Sequence, residues 1–347
     1  MREVAGIDEK RLYDVICVGG GPAGISLAVE CQTMGLDRQG VLVLEKGPEI
    51  IQAIRQFYPD KKMTLANYKN LPVETFGVLE SFPDLTKSET LDYFADIISK
   101  YQINYHLNSE VSKVTPERDY FRIQVNQAEL RAKVCAIGIG ILGRPNKPDF
   151  KLPVKLRKQI LFDLTSQPVK NEKVLVVGGG DTSSEYCQIL FQENCELTLC
   201  YRSEDFHRMM PVNREAVLKM EASKQLKILR SCEIQEIVDD GGRPKVLFKK
   251  PEQFPAESFD KIIFAIGGST PVNFLKTMGL EFDEQNWVKV GPDGETNIPN
   301  LFLIGDLAVS KTGGSIITAY NSSYRSAKRI LQSLLRDREQ QQTQESR

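Results

Sequence analysis

The sequence predicts an α/β protein built from two related halves, each a parallel sheet between covering layers, three layers in all, with antiparallel β insertions. Three observations predict it. Residues 13–24 and 173–184 share one grammar, a short apolar strand, a glycine turn and the start of a helix. Each half then closes on an apolar strand that runs into glycine and proline, at 134–148 and again at 259–271, so the chain repeats its own order. Its 347 residues are enough for two domains with a core each.

Bulk properties narrow the classes. Hydrophobic residues make up 41% and charged residues 26%, as in ordinary globular proteins. A net charge of −1 gives no electrostatic ground for binding nucleic acid or an anionic membrane. The seven cysteines, at 17, 31, 135, 187, 195, 200 and 232, contain no C-x-x-C pair. Most fall in apolar strands or helices, where cysteine is a small buried hydrophobe. With 2 histidines and no cysteine cluster, no metal site is expected. No secretory segment opens the chain, and the strand at 14–18 is too short to span a bilayer, so a cytoplasmic protein without an integral membrane segment is expected.

The first glycine turn organises the rest of the chain. Gly19 permits the tight turn, Gly21 (followed by Pro22 and Ala23) lets the backbone approach a pyrophosphate, and Gly24 lets the helix pack closely. An anion then sits on unpaired N–H groups at the helix start. The next strand, 41–44, ends in Glu45-Lys46, where a carboxylate can accept hydrogen bonds from a ribose diol. Together these predict a dinucleotide site. Residues 51–62 are aromatic and basic without strong periodicity; Phe57 and Tyr58 are candidates to line a reactive ring. An amphipathic helix comes next at 88–101, then strands at 103–107, 110–115, 120–126 and 129–137 that fit an antiparallel insertion.

The second copy has Gly178 and Gly180 at its turn, Ser183 in place of the third glycine, and a helix to about Glu193. Its next strand, 196–201, ends in Tyr201-Arg202, with Arg208 close behind, where the first copy has Glu45. A guanidinium at the ribose position binds a 2′-phosphate through charge-assisted bonds and favours NADP(H) over NAD(H), although Glu204 and Asp205 come directly after it. A helix at 212–224 and strands at 226–236 and 244–249 complete this half. An apolar strand then ends in Gly305-Asp306, and a glycine-rich turn at 313–319 opens a helix to about Arg338. An Asp at such a strand end can accept from ribityl hydroxyls, and a glycine-rich helix start can present N–H groups to a flavin carbonyl.

In this order, these motifs resemble the two-dinucleotide-binding flavoproteins, and among them the thioredoxin reductase-like group, over nearly the whole chain. The resemblance implies two Rossmann-like domains: a discontinuous FAD domain, 1–150 plus 270–347, and an inserted NADPH domain, 155–266. It also implies a homodimer. On the first site it places Gly19, Gly21, Gly24, Glu45 and Lys46 at the ADP half of FAD, Val111 at the adenine through its backbone, and Gly138 beside the flavin. Asp306 falls at the ribityl–pyrophosphate region, and Ser315 and Ile316 at the isoalloxazine edge. Gly178, Gly180, Asp181, Ser183 and Ser184, with Thr182 among them, fall at the NADPH pyrophosphate, and Arg202 and Arg208 at its 2′-phosphate.

The chain departs from that group at one decisive place. Residues 157–167, where a thioredoxin reductase carries its redox-active C-x-x-C, contain no cysteine. Without a dithiol the flavin cannot pass two electrons on by thiol–disulfide exchange. Ala23 stands where bacillithiol disulfide reductase-like members carry a cysteine. Residues 143–148 (Gly-Arg-Pro-Asn-Lys-Pro) and 265–271 (Ala-Ile-Gly-Gly-Ser-Thr-Pro) resemble those of NADPH–flavodoxin/ferredoxin (quinone) reductases, a branch that also lacks the dithiol, and that resemblance implies electron transfer from NADPH through FAD to flavodoxin or ferredoxin. Lys61, Lys62, Arg144 and Lys147 are candidates for a basic patch facing such acidic partners. No catalytic side chain is expected, because hydride transfer depends on approach geometry. Reduction of a small disulfide or a quinone, or a sensor that holds both nucleotides without turnover, are the alternatives the residues leave open.

Overall fold

The computed structural model describes residues 7–58, 60, 63–65, 74–141, 145–164, 166–268, 272–309 and 314–345, with the side chains of 57 and 337–345 excepted. The chain divides into two compact units. The first comprises Met1–Gln56, Met63–Ile141 and Thr270–Arg347, and the second Phe57–Lys62 and Leu142–Ser269. The second unit thus begins ahead of the 150–155 junction expected from sequence and takes in residues 57–62.

Numbered along the chain, the first unit's strands are β1 Leu12–Val18, β2 Val41–Leu44, β5 Tyr105–His106, β6 Val111–Pro116, β7 Phe121–Val125, β8 Ala128–Ile137 and β17 Leu301–Leu303, all in one sheet. Two short strands, β3 Met63–Thr64 and β4 Leu85–Thr86, pair separately. β1 lies in the middle, parallel to β2 on one side and to β8 on the other, and β5 extends the sheet beyond β2. This corrects one expectation. Residues 103–107 do not open the antiparallel insertion; β5 joins the parallel sheet, because it is reached through a long helix and such a crossover brings the chain back parallel. β8 serves two partners on one edge, antiparallel to β7 through its first half and parallel to β17 through its second.

Helix α1, Pro22–Thr33, starts with proline, whose missing N–H costs nothing in a first turn. It is buried from Ala23 to Cys31. Helix α8, Ile316–Glu345, packs against it, and Ser323 Oγ donates to Ala23 O at 2.8 Å. α8 runs past 338 because its tail of Gln, Glu and Arg is made of good helix formers. Residues 51–62 conceal a short helix, α2 Gln52–Phe57, of 6 residues, too few to show a period. α3, Lys87–Tyr101, begins with a capping box in which Thr86 and Glu89 satisfy each other's backbone N–H, and ends at Gln102 in the left-handed conformation. α6 Val272–Lys276 and α7 Asp306–Val309 complete the first unit.

The second unit has a wholly parallel sheet in the order β12 Leu226–Leu229, β11 Glu196–Cys200, β10 Lys173–Val177, β16 Lys261–Phe264 and β9 Ile160–Leu161. Side chains alternate across it. Val174, Val176, Leu197, Leu199 and Ile263 pack with helices α4 Asp181–Gln192 and α5 Pro211–Ala222. Leu175, Cys200, Ile262 and Phe264 pack instead with a second, antiparallel sheet of β13 Ile234–Asp240, β14 Arg243–Phe248 and β15 Glu257–Ser258. The strand expected at 226–236 is therefore two, broken where Ser231 turns with φ 49°.

Candidate cofactor-binding sites

In the first unit the strand register levels the ends of β1, β2, β8 and β17, with Val18 beside both Leu44 and Ile137, and Leu303 beside Ile137. Gly19, Glu45, Gly138 and the Gly305–Asp306 pair consequently emerge along one edge, at the carboxyl ends of parallel strands, where open α/β sheets bind ligands. Gly19 turns with φ +115° and its N–H donates to Leu44 O at 2.7 Å, while Gly138 N–H donates to Val18 O at 2.8 Å. A Cβ on Gly19 would collide with the Gly138 carbonyl, and one on Gly24 with the Gly19 carbonyl. The turn is closed tightly on itself. A Cβ on Gly21 would meet nothing within 4 Å, so the backbone there lies bare at the start of α1, which carries no side-chain cap.

Glu45 is buried, and both its oxygens are engaged: Oε2 accepts Gly20 N–H at 2.8 Å and Oε1 accepts Gly47 N–H at 2.7 Å. The carboxylate clamps the glycine turn to the end of β2 and keeps lone pairs for further donors. Lys46 is exposed, and Val111 is half-buried where β6 opens on a bulge. Asp306 starts α7, and its carboxylate lies so close to Gly314 that a Cβ there would overlap it. Gly305 N–H donates to Ser322 Oγ at 2.9 Å. Ser315 caps α8, its Oγ accepting Thr318 N–H at 3.0 Å, and Ile316 is the first residue of that helix. Tyr58, expected beside the ring of this site, belongs to the segment grouped with the second unit. The Phe57 side chain, Lys61, Lys62 and Arg144 lie outside the described residues, and Lys147 is exposed.

Sequence reasoning missed Glu30 and Asn321. Glu30, buried on α1, accepts Val78 N–H at 2.8 Å; Asn321 on α8 accepts Phe76 N–H at 3.0 Å and donates to Glu74 O at 2.8 Å. They dock residues 74–78 onto the two helices. A lone acid in an otherwise apolar helix was the available signal.

The second unit repeats the edge. Gly178 turns with φ +152°, its N–H donates to Cys200 O at 3.0 Å, and a Cβ would strike the Ala265 carbonyl. Gly180 is open, with nothing within 4 Å of its Cβ position, and caps α4. The serine hydroxyls bond within the unit. Ser183 Oγ donates to Gly180 O at 2.6 Å and Ser184 Oγ to Asn213 O at 2.9 Å, both from fully buried side chains. Asp181 Oδ1 accepts Met210 N–H at 2.7 Å and Asn213 Nδ2 at 3.0 Å, and Thr182 is exposed. Tyr201 packs its ring over Gly179 and stacks on Phe206 at 5.2 Å and 11°. Arg202 and Arg208 are exposed, and neither guanidinium hydrogen-bonds or forms an ion pair with another described residue. Arg208 forms a parallel bridge with Gly180. Glu204 is occupied by Ser231 Oγ at 2.9 Å.

Residues 16–305 match the model of the pyridine nucleotide-disulphide oxidoreductase family. The chain belongs to that family: it is an oxidoreductase with the two-domain FAD/NAD(P)-binding fold of thioredoxin reductase type. It is 24% identical over 332 residues to the ferredoxin–NADP reductase of Symbiobacterium thermophilum, covering 90% of this chain and 93% of that one. The bacillithiol disulfide reductase of Staphylococcus aureus superposes with a TM-score of 0.78 at 18% identity, covering 93% of this chain and 99% of that one. The thioredoxin reductase of Lactococcus lactis superposes with a TM-score of 0.75 at 20% identity, covering 93% and 99%. Among the described residues no helix is long and apolar enough to cross a membrane.

Proposed function

We propose that this oxidoreductase carries electrons from NADPH through FAD to an external carrier, ferredoxin or flavodoxin, and works as a cytoplasmic homodimer. FAD and NADPH are its cofactors, FAD in the first unit and NADPH in the second. The observation that carries the reading is the asymmetry of two otherwise matched glycine turns. One ends its second strand in a buried carboxylate, Glu45, suited to a ribose diol; the other ends it in exposed Arg202 with Arg208 nearby, suited to a 2′-phosphate. The open backbone at Gly21 and Gly180 fits a diphosphate in each case.

When bound, the flavin supplies the relay between a two-electron hydride donor and a one-electron carrier. The chain's own residues bind and orient. Gly19, Gly21 with Pro22 and Ala23, Gly24, Glu45 and Lys46 hold the adenosine diphosphate half, Val111 lies at the adenine, and Gly138, Gly305, Asp306, Ser315 and Ile316 hold the ribityl chain and ring edge. No side chain is assigned as an acid or base. No thiol is placed in the relay either: all seven cysteines are free and buried, and burial pushes the thiols of Cys17, Cys31, Cys135 and Cys187 well up. Cys200 and Cys232 are neighbours, with Cys200 Sγ 3.5 Å from Cys232 O, but each is only 2% exposed.

Anaerobic titration followed by flavin absorbance tests this. NADPH should bleach the flavin far faster than NADH does, and ferredoxin or flavodoxin should restore the absorbance. Bleaching by neither nucleotide overturns the reading; recovery only with small disulfides or quinones moves the acceptor to those classes. Arg202→Ala should raise KM for NADPH by about 10- to 100-fold, the loss of one charge-assisted contact, with KM for NADH little changed.

A further inference from the structure

We propose that Asp181 is a positioning residue for the nucleotide's 2′-phosphate: it holds the segment bearing Arg208 against the Gly180 turn, and so sets the preference for NADPH over NADH. The inference rests on the NADPH reading of the second unit. A carboxylate in the first turn of α4 would repel a diphosphate if it pointed at one. Here its Oδ1 accepts the Met210 N–H and the Asn213 side-chain amide, both at the start of α5.

Asp181 does not act alone. Asp181, Ser184 and Gln188 stand three and four residues apart on one face of α4 and converge on the same turn. Ser184 Oγ donates to Asn213 O at 2.9 Å, and Gln188 Nε2 lies 3.1 Å from Ser184 Oγ and 3.4 Å from Asn213 Oδ1. Asn213 is thus gripped through its carbonyl and both ends of its amide. The segment 202–210 is strung between two fixed posts. At one end Tyr201 N–H donates to Leu229 O at 2.9 Å and its ring stacks on Phe206; at the other Met210 N–H is held by Asp181. Between them Arg208 pairs its backbone with Gly180. Met210 is the N-cap of α5 and makes no side-chain cap of its own. Without the Asp181 acceptor its N–H loses its partner, and the lever that keeps Arg208 at the turn is free to swing.

The test compares NADPH and NADH as reductants of Asp181→Ala, Asp181→Asn, Asn213→Ala and Arg208→Ala. Asp181→Ala should raise KM for NADPH about tenfold, the worth of one to two such hydrogen bonds, with KM for NADH within about twofold. Asp181→Asn keeps an amide oxygen for Met210 N–H and should restore most of the selectivity. Asn213→Ala should shift it the same way by less. Melting temperatures identify any variant that has lost its fold, and Asp181→Asn then carries the test. Equal increases for both nucleotides, or an Asp181→Asn enzyme no better than Asp181→Ala, overturn the inference alone. A wild-type enzyme with no preference for NADPH, or an Arg208→Ala variant with unchanged selectivity, overturns the reading of the second site and the inference with it.

Discussion

The two glycine turns share strand order and backbone path, yet they differ at each place where a side chain meets them. In the first, the middle glycine is tied by its N–H to a carboxylate at the end of the neighbouring strand; in the second, the equivalent Gly179 is pressed under the Tyr201 ring. The third position is Gly24 in one and Ser183 in the other. Gly24 has no room for a Cβ, whereas Ser183 fits and returns a hydroxyl bond to Gly180 O at 2.6 Å. Around the turn, the first unit adds the ends of β2, β8 and β17 and a capped helix, while the second adds the ends of β11 and β16 and the arginine-bearing segment 202–210. The backbone lies bare at Gly21 in one and at Gly180 in the other. The neighbouring strand ends in buried Glu45 in the first and in exposed Arg202 in the second, the difference on which the proposed nucleotide assignment rests.

Exchanging the third positions is the sharpest way to break this comparison. Gly24→Ser drives a side chain into the Gly19 carbonyl at the tightest point of the first turn, where overpacking costs about 3 kcal/mol. The purified variant should retain little flavin and melt well below the wild type. Ser183→Gly removes one hydroxyl bond and adds a glycine to a first helical turn, about 1 kcal/mol in all, and should retain its flavin. Similar losses from both exchanges would mean that the turns are equally tight.

These differences were unequally legible in the sequence. The repeated grammar of strand, glycine and helix marked both turns, because Gly19, Gly24 and Gly178 are demanded by backbone geometry that no other residue satisfies. Glu45 and Arg202 were legible as strand-end residues of opposite charge. The directions of short polar side chains were not. The family resemblance implies Ser183, Ser184 and Asp181 at the phosphates; in the structure the Ser183 hydroxyl bonds Gly180 O within its own turn, while the Ser184 hydroxyl and the Asp181 carboxylate bond Asn213 O and the Met210 N–H, partners set by how α5 packs on α4. The two-residue strands β5 and β9 carry no period of their own, and they exist only because a longer neighbour offers a free edge. Residues 57–62 look from sequence like part of the first half, whereas the division of the chain into two units groups them with the second.

Glu45→Gln tests the clamp on the first turn and should act less strongly than Gly24→Ser. Both carboxylate oxygens accept a backbone N–H, from Gly20 and Gly47. A glutamine offers one oxygen and one NH2, so one buried donor must face another, at a cost of about 1–3 kcal/mol. The expected result is faster loss of flavin on dilution, measured by fluorescence of the released cofactor. Retention equal to wild type would show that the clamp does not stabilise the cradle.

The smallest effect should come from the other buried acid. That acid, Glu30, is buried in the first unit. Burial pushes the Glu30 carboxyl above its ordinary range, partly offset by the N–H groups of Val78 and Leu79. A carboxyl raised in the folded state binds its proton more tightly there than in the unfolded chain. Its contribution to stability is therefore full below the unfolded value, about 4.3, and is lost as pH rises through the raised folded value. Glu30→Gln is neutral throughout, and its amide oxygen can still accept the Val78 N–H. The melting temperature of the wild type should fall relative to that of Glu30→Gln as pH rises from about 4, then run parallel to it once the carboxyl is ionised. A constant difference across that range would mean that Glu30 titrates alike in both states, and that residues 74–78 are docked by hydrogen bonds indifferent to its charge.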